Sequence, residues 1–268
     1  MTSKLKGKTA LITGASNGVG EAVAELFGRH KMKVGLVARS LEKLNLVAEK
    51  IQKEGGHALV LRTDLRNRQE IENAVAKIKQ KFGFVDFLIN SAGIGYRGFW
   101  DDFSLESDLD TLAVNYTASV ILIRHLLPDM IRENKGQVIN INSVAGLYAA
   151  PYQGSYGASK AALVAYVESL AFELKNSKVQ MSSIFPGPID TEFLNRKNFT
   201  SFKKSPDIVS AKYIAEKVIS LIEKPRERLF VGSIVKLLAT KIAFFHPKFF
   251  RKIIEMKNAP PERIKDFS

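Results

Sequence analysis

The chain has 268 residues, 46% of them apolar, with no cysteine and four histidines. That suits one large α/β domain with a real core, and it excludes disulfides, thiolate metal sites and a cysteine nucleophile. A formal charge of +13 admits nucleic acid, an anionic membrane surface, an anionic ligand or a solvated basic face.

His30, His57, His125 and His246 are far apart in sequence, so no metal site is expected. No apolar leader precedes the first strand-like run, and a reducing, cytoplasmic setting is expected. Lys8 to Ile12 reads as a short buried strand. It enters Thr13-Gly14-Ala15-Ser16-Asn17-Gly18-Val19-Gly20, and then a helical pattern with Val19, Ala22, Val23, Leu26 and Phe27 on one face. Strand, glycine loop and helix in that order are the context a dinucleotide site needs, the alternative being a glycine turn that binds nothing. The glycines let the backbone approach a pyrophosphate, and the helix N-terminus offers free N–H groups to it.

Lys33 to Ala38 is the second strand and ends at Arg39-Ser40. An acidic residue here would bond the adenosine ribose hydroxyls, whereas a basic one accommodates a 2′-phosphate. Arg39, with Ser40 as an extra hydroxyl, therefore predicts NADP(H) in preference to NAD(H). Ser40 also caps the next helix, Leu41 to Glu54. Ala58 to Arg62 is a third strand, followed by Asp64 and Leu65, and Asn67 with Glu70 forms a capping-box variant opening a helix to Phe82. Phe84 to Ile89 is a fourth strand ending in Asn90-Ser91-Ala92-Gly93. A helical region from about Leu105 to Arg132 carries Asn115 in its interior, where asparagine is mildly unfavourable. That residue is either an amide bonded to a neighbour or a deliberate disturbance of the helix.

Gln137 to Asn142 is a fifth strand ending at Ser143. Ser155-Tyr156-Gly157-Ala158-Ser159-Lys160 opens the next apolar-periodic helix. Four residues apart on a helix, Tyr156 and Lys160 share a face. An ammonium beside a phenol favours the phenolate, and such a pair can pass a proton to or from an alcohol or ketone. Val179 to Phe185 is a sixth strand, running into Pro186-Gly187-Pro188-Ile189-Asp190-Thr191. Ser205-Pro206 predicts a helix start by serine cap and proline at the first helical position. Leu229 to Val231 is a seventh strand.

Strands alternating with helices imply an α/β fold: a Rossmann-like, doubly wound parallel sheet of about seven strands. The expected single domain covers 1–232, with a helical extension over 233–268. The glycine loop, Arg39, Asp64, Asn90, Ser143 and Pro186 all follow the C-terminal ends of strands, the edge where open α/β sheets bind ligands. The extension is basic and amphipathic. Ser233 to Phe245 is short for a membrane span, and His246-Pro247 interrupts it. Phe249, Phe250, Ile253 and Ile254 then oppose Lys248, Arg251 and Lys252. This face can pack on the protein's own body, on a second subunit or on an anionic membrane.

Together, Thr13-Gly14-x-x-x-Gly18-x-Gly20, Asn90-Ser91-Ala92-Gly93, Asn115, Ser143, Tyr156-x-x-x-Lys160 and Pro186-Gly187 with Thr191 resemble the classical short-chain dehydrogenase/reductase family, over roughly residues 7–232. Asn-Ser-Ala-Gly stands where the family more often has Asn-Asn-Ala-Gly. The resemblance implies Tyr156 as general acid or base, Lys160 lowering its pKa and binding the nicotinamide ribose, Ser143 polarising the substrate oxygen, and Asn115 supporting a proton relay. It also implies that Gly14, Ser16, Asn17, Gly18, Val19 and Gly20 surround the cofactor phosphates and adenosine ribose. Asp64 and Leu65 would flank adenine, Asn90, Ala92 and Gly93 would line the ribose region, and Ile189 and Thr191 would hold the carboxamide.

The expected activity is hydride transfer between NADP(H) and an apolar or lipid-like carbonyl, with Tyr96, Phe99, Trp100, Leu147, Tyr148, Tyr152 and Phe193 as candidate cleft residues. A homodimer or homotetramer is expected, with no nucleic-acid partner. The alternatives are a non-catalytic NADP(H) sensor, a polyanion-binding module or a non-redox enzyme on the same fold. Retention of Asn115, Ser143, Tyr156 and Lys160 argues for catalysis.

Overall fold

A computed structural model describes residues 5–195 and 207–232, and residues 205, 245, 246, 248 and 252 singly. The strands are β1 (Thr9–Thr13), β2 (Lys33–Ala38), β3 (His57–Arg62), β4 (Phe87–Asn90), β5 (Gln137–Ile141), β6 (Gln180–Pro186), β7 (Ile189–Asp190), β8 (Val209–Ser210) and β9 (Arg228–Val231). The helices are α1 (Gly18–Arg29), α2 (Leu41–Lys53), α3 (Arg68–Phe82), α4 (Leu105–Leu112), α5 (Ala118–Arg132), α6 (Gly154–Glu173) and α7 (Ala211–Glu223). The main sheet is seven-stranded and parallel, in the order β3-β2-β1-β4-β5-β6-β9. The order reverses between β1 and β4, which opens a crevice at the carboxyl edge of the sheet.

Alternation along the central strands builds two cores. Ile12, Leu36, Ile89 and Ile139 face one side and pack with Phe27, Leu44, Ile51, Ile214 and Val218 of α1, α2 and α7. Leu11, Val37, Leu88 and Val138 face the other side and pack with Ile71, Ile78, Leu122, Leu126, Leu163 and Val167 of α3, α5 and α6. Both faces are covered, so β1 and β5 are buried at every residue, the pattern of a parallel sheet.

Local chemistry explains the boundaries. Ser40 accepts from the Lys43 N–H at the start of α2, and Asn67 accepts from the Glu70 N–H at the start of α3. The Glu70 carboxylate reaches back past Asn67 to the Asp64 N–H, at 2.7 Å. Strand β4 begins three residues later than the apolar run suggests. Its approach is held by Asp86, whose carboxylate accepts from the Thr9 N–H and from Lys8 Nζ, each at 2.9 Å.

Two expectations change. The region from Leu105 to Arg132 is not one continuous α-helix, because Ala113–Thr117 forms a π-helical turn between α4 and α5. The helix placed at Ser205-Pro206 starts instead at Ala211, capped by Ser210, whose hydroxyl accepts from the Tyr213 N–H at 3.1 Å. Residues before it are extended because Val209 and Ser210 pair in parallel with Ile189 and Asp190. The Ser205 hydroxyl accepts locally from the Asp207 N–H, and Pro206 lies outside the described residues. Most of the C-terminal extension, with its expected packing or membrane face, also lies outside them.

Candidate active site

The glycine loop leaves β1 and enters α1 under tight steric control. Gly14 and Gly18 have φ of 66° and 59°, a region that disfavours any Cβ. A Cβ on Gly14 would lie 2.8 Å from Ala92 Cα, and one on Gly20 would run into the Gly14 carbonyl oxygen. A Cβ on Gly18 would meet Thr191 Cγ2 at 3.2 Å. The loop is thus pressed between the segment after β4 and the segment after β7. Val19 and Gly20 are buried in the first turn of α1. Asn17 occupies the N-cap position, yet its side chain caps nothing. Instead its Nδ2 donates to Glu192 at 2.9 Å.

Thr13 makes a tie that motif spacing alone does not display. Its hydroxyl oxygen accepts from the N–H groups of Ser91 and Ala92, both at 3.0 Å, which fixes Asn90–Gly93 beside the glycine loop. Asn90 is buried and donates to Asn140 Oδ1 at 2.9 Å across adjacent strands. Gly93 faces the catalytic candidates directly: a Cβ there would sit 3.5 Å from Asn115 Oδ1 and 3.6 Å from Lys160 Nζ.

Asn115 lies in the π turn and is buried. Its amide accepts from the Ile94 N–H and donates to the Ile94 carbonyl, both at 2.8 Å, and donates to Ser159 Oγ at 2.9 Å. Ser159 in turn donates to the Tyr156 carbonyl at 2.8 Å. The π turn therefore aims one side chain so that it clamps the loop after β4 to the first turns of α6. Single-turn π insertions of this kind often accompany functional sites.

Tyr156 and Lys160 share the inner face of α6. The Gly95 backbone lies against the Tyr156 ring, where a Cβ would be 2.6 Å from Cδ2. Phe193 packs on the same ring with centroids 5.8 Å apart. Lys160 is 4% exposed, and Nζ donates to the Ile141 carbonyl at 3.0 Å. Burial pulls its pKa down from 10.5 to about 8. Burial pushes the Tyr156 phenol above its usual value, while its hydrogen bond with Ser143 pulls in the opposite direction. The net direction corrects the expectation of a lowered phenol, because desolvation outweighs the hydrogen bond from Ser143 in the protein alone. Ser143 is placed by Asn142, which accepts from the Ser143 N–H at 2.9 Å and donates to the Lys160 carbonyl at 3.4 Å.

At the other end, Arg39 is exposed just beyond β2. The Asp64 carboxylate is held by Arg66 through Nε and Nη2, and that contact keeps its pKa low, with Arg39 adding a smaller effect. Arg66 also reaches Asp110 on α4 at 2.8 Å. Leu65 is buried. Pro186 ends β6, the Gly187 N–H donates to the Val231 carbonyl, Ile189 lies in β7, and Thr191, just beyond it, lies against Gly18. A cavity of about 420 Å³ beside Ser16 and Asn17 is bounded by Lys43, Lys50, Lys53 and Glu192 among others.

The cleft aromatics divide. Phe99 packs edge-on against Tyr152, and Tyr96 against Phe103. Trp100 is 90% exposed. Among the described residues, no helix is long and apolar enough to cross a membrane, and no group of three or more His, Asp or Glu could hold a metal ion.

The donor set fits a nicotinamide dinucleotide. It combines a loop with glycine at positions 14, 18 and 20, a helix N-terminus, and a buried ammonium facing Gly93. A family model described as short chain dehydrogenase matches residues 8–201. A short chain dehydrogenase of Pseudocercospora fijiensis is 35% identical over 70% of this chain and 62% of that protein. The solved structure of an alcohol dehydrogenase from Thermococcus sibiricus, complexed with 5-hydroxy-NADP, is 29% identical, covers 85% of this chain and 97% of its own, and superposes with a TM-score of 0.77. A short chain dehydrogenase/reductase from Burkholderia phymatum shares the fold at a TM-score of 0.83 and 24% identity, over 97% of this chain and 99% of its own. The seven-stranded parallel sheet agrees with these matches, and the chain belongs to the short-chain dehydrogenase/reductase family of oxidoreductases, which transfer hydride with a nicotinamide cofactor.

Proposed function

We propose that this protein is an NADP(H)-dependent reductase of apolar ketones, with Tyr156, Lys160, Ser143 and Asn115 as its working residues. The observation that carries the reading is the convergence of Tyr156, Ser143, Lys160 and Asn115 around Gly93, Ile94 and Gly95. The bound cofactor supplies the hydride in reduction. Ser143 donates a hydrogen bond to the carbonyl oxygen, and Tyr156 delivers the proton to it. Lys160, with a pKa near 8, can return a proton to the site at physiological pH, and Asn115 keeps its surroundings ordered. Gly14, Ser16, Asn17, Gly18, Val19 and Gly20 take the phosphates. Asn90, Ala92, Gly93, Pro186, Gly187, Ile189 and Thr191 take the ribose and nicotinamide end.

The preference for the phosphorylated cofactor is supported by exposed Arg39 and by Ser40 at the end of β2. The NADP derivative bound by the similar alcohol dehydrogenase supports it as well. An apolar substrate is supported by Phe193, which packs on the Tyr156 ring, and by the aromatic pairs Tyr96–Phe103 and Phe99–Tyr152 in the loops on either side. Self-association as a homodimer or homotetramer is supported by α6, which exposes Ala161, Ala165 and Phe172.

The test is oxidation of NADPH and NADH with ketones from small diketones to long-chain and steroid ketones, alongside Tyr156→Phe. Turnover with NADPH is expected, and the variant should lose about 10²- to 10⁴-fold in kcat. Equal or better turnover with NADH would overturn the cofactor reading. Full activity in Tyr156→Phe would overturn the assignment of the proton donor.

A further inference from the structure

Glu192 lies one residue beyond Thr191, on the segment that the proposed function places at the nicotinamide carboxamide. Its carboxylate crosses the mouth of the cofactor groove to two separate elements. Asn17 Nδ2, at the glycine loop, donates to Oε2 at 2.9 Å, and Lys43 Nζ, in the first turn of α2, donates to both oxygens at 3.2 Å. Lys43 stands one turn beyond Arg39-Ser40, and its own N–H is the one that Ser40 caps. Both partners of Glu192 therefore flank the place where the end of β2 meets the glycine loop, and all three residues bound the cavity described above.

The chemistry of the two donors is that of a phosphate site. An ammonium and a primary amide suit a phosphate monoester, which offers more charge and more acceptor oxygens than a carboxylate. The Asn17 side chain caps no helix, so opening its bond to Glu192 turns the amide over to the phosphate. The ion pair between Lys43 and Glu192 is exposed, 47% and 60% at the two side chains, and such pairs open at little cost. We infer that Asn17 and Lys43 are further ligands of the cofactor's 2′-phosphate and that Glu192 is an internal competitor for them. The carboxylate clasps the groove across β7, α1 and α2 and gives way when the phosphate takes its donors. The inference rests on the proposed preference for NADP(H) and adds to it the residues through which that preference is set. NADH, with a hydroxyl in place of the phosphate, has nothing to exchange for Glu192.

The experiment titrates full-length protein with NADPH and with NADH, following the cofactor's own fluorescence, for the wild type, Glu192→Gln, Lys43→Met, the double variant and Arg39→Ala. Glu192→Gln is expected to tighten NADPH by about three- to tenfold and to leave NADH within about twofold. Lys43→Met should weaken NADPH by about tenfold, and in the double variant the gain from Glu192→Gln should disappear. Amide exchange across 190–195 in the cofactor-free protein should rise in Glu192→Gln. A wild type that binds NADH as tightly as NADPH would overturn the cofactor reading and this inference together. If the wild type prefers NADPH and Arg39→Ala removes the preference, then equal shifts for both cofactors in Glu192→Gln, or no shift, overturn the clasp alone. Unchanged amide exchange in that variant does the same.

Discussion

Lys160 carries the sharpest conflict between stability and function. A buried ammonium with a single carbonyl contact at 3.0 Å is held against its solvation. Below pH 8 the folded and unfolded chains both carry its proton, so the whole cost of burying the charge is present. Between about 8 and 10.5 the folded protein has released that proton while the unfolded chain retains it, and stability from this group rises with pH. A shift of this size corresponds to roughly 3 kcal/mol. Lys160→Met is therefore expected to abolish turnover while raising Tm at pH 7 by roughly 5–10 °C. The gain should shrink as the pH approaches 10. A variant less stable than the wild type at pH 7, by differential scanning calorimetry, would show that the hydrogen bond to Ile141 outweighs the burial of the charge.

At the scale of elements, the π turn between α4 and α5 is where local sequence preference gives way to the site. Asn115 makes three hydrogen bonds there, two of them to Ile94. Replacing it by alanine leaves the Ile94 N–H and carbonyl without their side-chain partner in a partly buried setting, a loss of roughly 2–4 kcal/mol. Asn115→Ala should accelerate amide exchange at Ile94 and weaken cofactor binding, while exchange at Leu11 in β1 stays at the global rate. Equal protection at Ile94 in both proteins would mean that the clamp holds nothing. The position of Asn115 in the interior of a helical pattern was legible as an anomaly, but a π turn was not. Its extra residue is stabilised by Ile94 and Ser159, which are 21 and 44 positions away in sequence. The start of α7 failed for a related reason. Ser205-Pro206 is a good cap by its chemistry, but Val209 and Ser210 pair with β7, so the helix begins only at Ala211.

For the whole molecule, the two cores on either side of the sheet make stability separable from the site. Leu11 is fully buried in the middle of the sheet, on the face covered by α3, α5 and α6. Leu11→Ala should cost about 2–5 kcal/mol, which lowers Tm by about 5–15 °C. NADPH affinity in the folded protein should stay within about twofold. A large loss of affinity at a temperature where the variant is folded would show that the core and the groove are coupled.

Order along the chain was enough for the sheet, the glycine loop and the catalytic candidates. Short apolar strands alternating with period-three-to-four helices leave few topologies, and short motifs at strand ends fall on one edge. Gly14, Tyr156 and Lys160 could be named from spacing, and Ser143 from the family resemblance together with its place at a strand end. Only the tertiary structure decided how these groups act on each other. Burial moves Lys160 and Tyr156 in directions that no spacing reveals, because desolvation depends on everything packed around a group. Thr13 ties two loops 78 and 79 residues apart, and Glu192 reaches Asn17 and Lys43 across 175 and 149 residues. Such contacts arise where the chain closes on itself.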